Sequence, residues 1–247
     1  TAETDFIGTL TRTQLHGPDD VQAMQALQVH YTLTPLSAFT GQPAPKAASP
    51  VEWPAWDATQ AEGIGFISYL NALLPFMPVV PSETDMLARF ARIGIGPGRR
   101  FDPDALDPAI RRAIEQGIGD ASKQLKEEAI KLTSSKGLFS TRQELGADYI
   151  MRRALGAMMG IYGNSVEEAM YGSQQTGPDG KVLDGSKRWV MRFAPGQLPP
   201  VSLFWSITMY NLPERLLVEN PIDRYSIGDR SAGLKQGPDG SLEIHIQ

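Results

Sequence analysis

Residues 184–210 read D-G-S-K-R-W-V-M-R-F-A-P-G-Q-L-P-P-V-S-L-F-W-S-I-T-M-Y. This stretch decides the fold class, because its period is two. Lys187, Trp189, Met191 and Phe193 alternate with Arg188, Val190 and Arg192. Leu203, Trp205, Ile207 and Met209 alternate with Ser202, Phe204, Ser206, Thr208 and Tyr210. Successive side chains of a strand point to opposite faces, so each run predicts a strand. In the second run one face is wholly apolar and is expected to face a core. The other carries three hydroxyls and a phenol around Phe204.

Downstream, 225–227 predicts a short strand. Residues 241–247, S-L-E-I-H-I-Q, set Leu242, Ile244 and Ile246 against Glu243, His245 and Gln247. Gly237-Pro238-Asp239-Gly240 before them has hairpin-turn chemistry. Upstream, the period changes to that of helices. Asp107 and Pro108 open a helix predicted over 107–132, with Asp at the cap and Pro at the first position. Thr141 and Glu144 have capping-box spacing. Helices are also expected over 58–74, stopped by Pro75, and over 83–93, capped by Ser82. Tyr149, Met151, Met158, Met159 and Tyr162 read as core. Residues 37–57 hold four prolines and two tryptophans; Trp53 and Trp56 are expected to pin this linker down, with a carbohydrate-stacking platform as the alternative. The β-branched stretch 5–14 predicts a leading strand, and 31–36 a short extended piece.

The fold class is therefore α+β. Residues 1–57 are expected to form an N-terminal β piece and carry a Pro-rich linker. Residues 58–163 are helical, and 164–247 form an antiparallel β-sandwich or jelly-roll-like domain.

The 247 residues are 41% hydrophobic and 21% charged, enough to bury a sizeable core. A net charge of −5 argues against a nucleic-acid partner, which selects a basic face. No apolar run is long enough to span a membrane. The absence of cysteine removes thiolate nucleophiles and cysteine-ligated metals. The three histidines, His16, His30 and His245, share no ligand spacing, so neither a metal nor a cofactor is expected. Gly94-x-Gly96-x-Gly98 with Arg99 and Arg100 follows a helix rather than a strand, and reads as a connector, not a phosphate loop.

Chemistry then concentrates at the opening stretch. Arg192 and Arg224 could present bidentate donors to a carboxylate, sulfate or phosphate. Ser206, Tyr210 and Tyr225 add hydroxyls, completing a candidate ligand set. Ser206 with His245 is the weak candidate for a hydrolytic pair. Structural hydrogen bonds, with the arginines paired to Asp184, Asp223 or Glu219, are the competing reading.

R-T-Q-L-H-G-P-D-D (12–20), T-P-L-S-A-F-T-G-Q-P-A-P (34–45), L-D-G-S-K-R-W-V-M-R-F (183–193), P-P-V-S-L-F-W-S-I-T-M-Y (199–210) and N-P-I-D-R-Y-S-I-G-D-R (220–230) together resemble a two-part family. It is known as domains of unknown function 1254 (N-terminal) and 1214 (C-terminal). The resemblance implies β-sandwich-like domains joined by helices in exported bacterial proteins, hence a periplasmic or secreted location. It carries no established activity. It also implies that residues 1–57 are the end of an N-terminal β domain, that the β-sandwich of 164–247 is incomplete, and that the chain is a piece of a longer or processed protein, forming a homo-oligomer or associating with missing segments. Three functions stay open: binding of a small polar or anionic ligand between β domains, hydrolysis of ester or glycosidic bonds, and a structural or assembly role.

Overall fold

In the computed structural model, residues 6–212 and 214–247 are described. The helical half is built as its caps dictate. A 3-10 turn at Pro18–Asp20 leads into α1 (Val21–Gln28), and α2 (Leu36–Phe39) is a single turn. Asp57 accepts from the Gln60 amide to cap α3 (Ala58–Glu62). The helix expected over 58–74 breaks at Gly63–Gly65 and resumes as α4 (Phe66–Leu73). Gly65 is needed there, because a Cβ would press on Gln60. α5 (Thr84–Ala91) starts after a 3-10 turn at Pro81–Glu83, and Ser82 makes no capping bond. α6 (Pro108–Lys131) has the predicted cap, with Asp107 accepting from the amides of Ala109 and Ile110. α7 (Arg142–Leu145) has the complete Thr141–Glu144 capping box, and α8 (Tyr149–Gly160) follows.

The chain divides into two units, Thr1–Met170 and Tyr171–Gln247. The core of the first lies where α6 meets α8. Ala129, Leu138 and Leu155 are buried there, packed by Leu125, Leu132, Phe139, Met151, Met158 and Met159. Tyr162 lies outside this core at 79% exposure, so its reading as core is corrected: α8 ends at Gly160, before the face that buries Leu155 reaches it.

Asn71 is fully buried and organises the glycine connector. Its Nδ2 donates to the carbonyls of Gly94 (2.9 Å) and Arg99 (3.1 Å), and its Oδ1 accepts from the Gly96 amide (2.8 Å). Its own carbonyl accepts from the Gly98 amide (2.8 Å). Gly94 and Gly98 take positive φ, which explains two of the glycines without a phosphate.

The tryptophans of the linker tie it to α4 and the turn that follows. Trp53 packs between Phe6 (5.6 Å between centroids) and Phe76 (5.5 Å), and Trp56 meets Tyr69 (5.1 Å). The Tyr69 hydroxyl donates to the Ala55 carbonyl and accepts from the Asp57 amide.

The strand expected over 5–14 is not formed. Asp5 lies outside the described residues, and 6–16 carry no helix or strand. A strand's backbone groups need a neighbouring strand, and none lies beside these residues among those described.

In the second unit, β1 (Trp189–Phe193) pairs antiparallel with β4 (Leu242–Ile246), and β2 (Ser206–Thr208) with β3 (Ser226–Gly228). Helices with small antiparallel sheets make the chain α+β; its described strands form two separate two-stranded ladders. The register sets Trp189, Met191 and Phe193 opposite Ile246, Ile244 and Leu242, the predicted apolar face. Leu242 and Ile244 are buried. The turn at 237–240 closes through Gly237 N–H to the Ser241 carbonyl (2.7 Å), with Gly240 at φ 81°. The expected strand over 201–210 shrinks to β2. Its apolar face is only partly covered: Trp205 and Ile207 are half-buried, while Leu203 is 79% exposed. A three-residue, two-stranded ladder has too little area to cover that face.

Candidate functional site

The sequence-derived site residues fall in three places. Arg192 is on β1, directly opposite Glu243 of β4. Its guanidinium reaches Glu243 Oε1 (3.6 Å) and Asp239 Oδ2 (3.5 Å), and all three side chains are exposed. Asp239 is held below the ordinary carboxylate range, first by the Ser241 hydroxyl (2.6 Å) and the Ser241 amide (3.0 Å), with Arg192 adding a smaller pull. Asp239, Ser241 and Glu243 line a recess of about 500 Å³ with Lys235 and Gly237. Its two carboxylates, Asp239 and Glu243, are already paired with the arginine.

Ser206 opens β2 opposite Gly228. Tyr210, Arg224 and Tyr225 are at the other end of that ladder, where Thr208 pairs with Ser226. Tyr210 bridges to Leu217. Asn220 holds Arg224 by two backbone bonds, accepting from its amide and donating to its carbonyl (3.0 Å each). The Tyr225 hydroxyl bonds the Asp223 carboxylate, which raises its pKa. The structure thus brings Tyr210, Arg224 and Tyr225 to one ladder end. Ser206 is at the opposite end, and Arg192 is in the other sheet.

His245 is on β4 opposite Val190, exposed and in a different sheet from Ser206. No hydrogen bond joins Ser206 and His245 among the described residues. Among those residues no group of three or more His, Asp and Glu side chains is placed to hold a metal ion, and no helix is long and apolar enough to cross a membrane.

A different constellation stands in the first unit. Glu83, at the start of α5, accepts from Arg142 of α7 and from the Tyr149 hydroxyl of α8, both through Oε1. The Arg142 guanidinium also lies over the Tyr149 ring, 5.2 Å from its centroid. The side chains are only 22% (Arg142) and 16% (Glu83) exposed. Shielding from water strengthens such a charge-assisted pair. The carboxylate at the N-terminal end of α5 also matches that helix's dipole.

Arg142 and Tyr149 form part of the wall of an open recess of about 830 Å³. Pro78 and Val80 give it apolar surface, and Ser82, Gln143, Gly146 and Ala147 complete it. Sequence reading missed Glu83 and Arg142 as site residues and took Tyr149 for core. The available signal was faint: Arg142 and Tyr149 are seven residues apart across two short helices. Nothing local connects Glu83 to either of them.

The crystal structure of the VPA0106 protein from Vibrio parahaemolyticus is similar, at 28% sequence identity and a TM-score of 0.60. The match covers 93% of this chain and 54% of that one, so the chain spans about half the length of the solved structure. No curated protein matches. Residues 168–247, the part that holds both ladders, match the family described as "Protein of unknown function (DUF1214)".

Proposed function

We propose that this chain binds a small polar or anionic ligand, seated in the first unit's recess beside Arg142 and Tyr149. One observation carries the reading: a largely shielded guanidinium, fixed by a carboxylate and a phenol, stands in the wall of a recess of about 830 Å³. That volume is in the range of small-molecule sites, which combine apolar surface with a few placed polar groups. Pro78 and Val80 would take the ligand's apolar part. Ser82 and Gln143 offer hydrogen bonds, and the shielded Arg142–Glu83 pair gives the wall a polar edge. Because Glu83 already orients Arg142, a ligand meets a preorganised group.

The test is calorimetric titration of the chain with a panel of short-chain carboxylates, repeated with Ser82→Ala and Gln143→Ala. These two variants leave the Glu83–Arg142–Tyr149 contacts in place. Saturable binding weakened by either variant supports the site. Absence of saturable binding across the panel, or binding indifferent to both variants, refutes it.

A second reading seats the ligand at the end of the β2–β3 ladder, supported by the meeting there of Tyr210, Arg224 and Tyr225. Arg224→Ala would then abolish binding that Ser82→Ala leaves intact. Arg192 and Ser206 would contribute to that second site only from a distance. Correspondence of the N-terminal part to domain 1254, and an exported location, belong to the same proposal. They are supported by the motifs at 12–20 and 34–45, and fractionation of the source cells tests the location.

A further inference from the structure

The recess beside Arg142 has two unlike walls. One is the extended segment that leads from α4 towards α5. Met77 (φ −101°, ψ 137°) and Val80 (φ −94°, ψ 123°) have strand dihedrals. Pro78, Val80 and Ser82 line the recess, and these are alternate residues. Val79, between the first two, is 74% exposed. Successive side chains of an extended chain leave opposite faces, so this alternation is that of a strand edge. The backbone at its centre is unused. Val79 makes no backbone–backbone hydrogen bond among the described residues. Its neighbours each use one group: the Met77 amide donates to the Leu74 carbonyl, and the Val80 carbonyl accepts from the Glu83 amide. The facing wall is α7 and the turn after it, with Arg142, Gln143, Gly146 and Ala147. Apart from chain neighbours, nothing lies within 4 Å of where a Cβ on Gly146 would be, which leaves room for another chain.

A groove between an open strand edge and a helix is a recurring peptide-recognition geometry, in which main-chain bonds hold the peptide and the groove reads alternate side chains. We propose that the ligand of this recess is a short extended peptide with apolar side chains at alternate positions. The inference rests on the reading of the recess as the binding site and names the class of ligand it takes. In an extended chain the N–H and C=O of one residue point the same way, so Val79 can exchange two hydrogen bonds with one peptide residue. Pro78, Val80 and the Tyr149 ring then receive the peptide's apolar side chains, while Ser82 and Gln143 meet its remaining polar groups. A short carboxylate would use the wall of the recess and leave Val79 unpaired.

The test titrates the chain with a capped pentapeptide of alternating threonine and valine, read by calorimetry and by hydrogen exchange. Saturable binding is expected, weakened by Ser82→Ala or Gln143→Ala, with exchange of the Val79 amide slowed at least about tenfold. Two further peptides carry N-methyl groups, one on its threonines and the other on its valines. Pairing along one edge uses only alternate amides, so one isomer should bind at least about tenfold more weakly than the other. Val79→Pro removes the donor on the protein and should weaken the unmethylated peptide at least about tenfold, with the helical circular dichroism of the chain unchanged. Binding of short-chain carboxylates without binding of the peptide overturns this inference and leaves the recess as a ligand site. Equal affinities of the two methylated isomers, or unchanged exchange at Val79 in the saturated complex, overturn it in the same way. Binding of neither carboxylates nor peptide overturns both readings.

Discussion

Replacing Asn71 by alanine should unfold the corner between α4 and the glycine connector. The side chain makes three hydrogen bonds, to the carbonyls of Gly94 and Arg99 and from the amide of Gly96. Gly96 is buried, so its amide would lose its partner where water does not readily replace it. An orphaned buried group costs about 1–3 kcal/mol. The two carbonyls are less buried and regain some water, at about 0.5–1 kcal/mol each. The sum is about 2–5 kcal/mol, a large share of the stability of an ordinary domain.

The assay is urea unfolding followed by far-ultraviolet circular dichroism, paired with hydrogen exchange at the Gly96 amide. Asn71→Asp sharpens the test. Burial raises a carboxyl's pKa, so the folded state would favour the protonated form. Protonated, the side chain can still donate one bond. Because the folded pKa is the higher one, stability is present at low pH and is lost as pH rises through the folded value. The aspartate variant should therefore be less stable at neutral than at acid pH, relative to wild type. A loss below about 1 kcal/mol in Asn71→Ala, with Gly96 exchange unchanged, would refute the reasoning.

A Cβ at Gly163 would fall well inside contact distance of the Phe139 ring, so Gly163→Ala should cost about 1–3 kcal/mol in denaturant unfolding by overpacking. Leu242 is 1% exposed, so Leu242→Ala should cost about 2–5 kcal/mol, with faster exchange of the β1 amides as the readout. Glu144 is held below its ordinary pKa, first by the Ser140 hydroxyl, then by the Thr141 hydroxyl and amide. Its folded pKa is the depressed one, so its contribution is present above the ordinary carboxylate value and is lost as pH falls through the lowered one. Melting temperatures measured from about pH 6 down to pH 2 should therefore show a shallower acid decline in Glu144→Gln than in wild type.

What could be read in the sequence was whatever neighbours in sequence determine. The α6 cap, the Thr141–Glu144 box and the β1–β4 face all depend on residues within a few positions or on strict alternation. The glycine connector was legible as a connector, but its cause was not. Asn71 reaches across 23 to 28 residues to hold it. The leading strand failed for the opposite reason: its local pattern is correct, but pattern alone does not provide a ladder partner. The recess beside Arg142 was illegible because Glu83 is 59 residues from Arg142 and 66 from Tyr149. The apolar face of 201–210 was overread, because alternation identifies which side chains share a face and not whether anything covers it.

The contrast between Arg192 and Arg142 shows why counting guanidinium groups does not locate a site. Arg192 is 57% exposed and lies between two carboxylates that are themselves about half exposed. Water screens those pairs, and such surface contacts contribute about 0–1 kcal/mol. An incoming anion at that position would meet two negative groups beside one positive group, so the local field opposes it. Arg142 pairs with Glu83, and that carboxylate also accepts from a phenol, which disperses its charge. Its surroundings exclude most of the water that would compete for its donors. A hydrogen bond made to a ligand there gains from the lower local polarity. The same conditions make the pair costly to break: removing Glu83 would take this carboxylate from a shielded cation, and removing Arg142 would take the cation from a shielded anion. The proposed ligand binding at this recess is therefore best probed through Ser82 and Gln143, which line it without belonging to the ion pair.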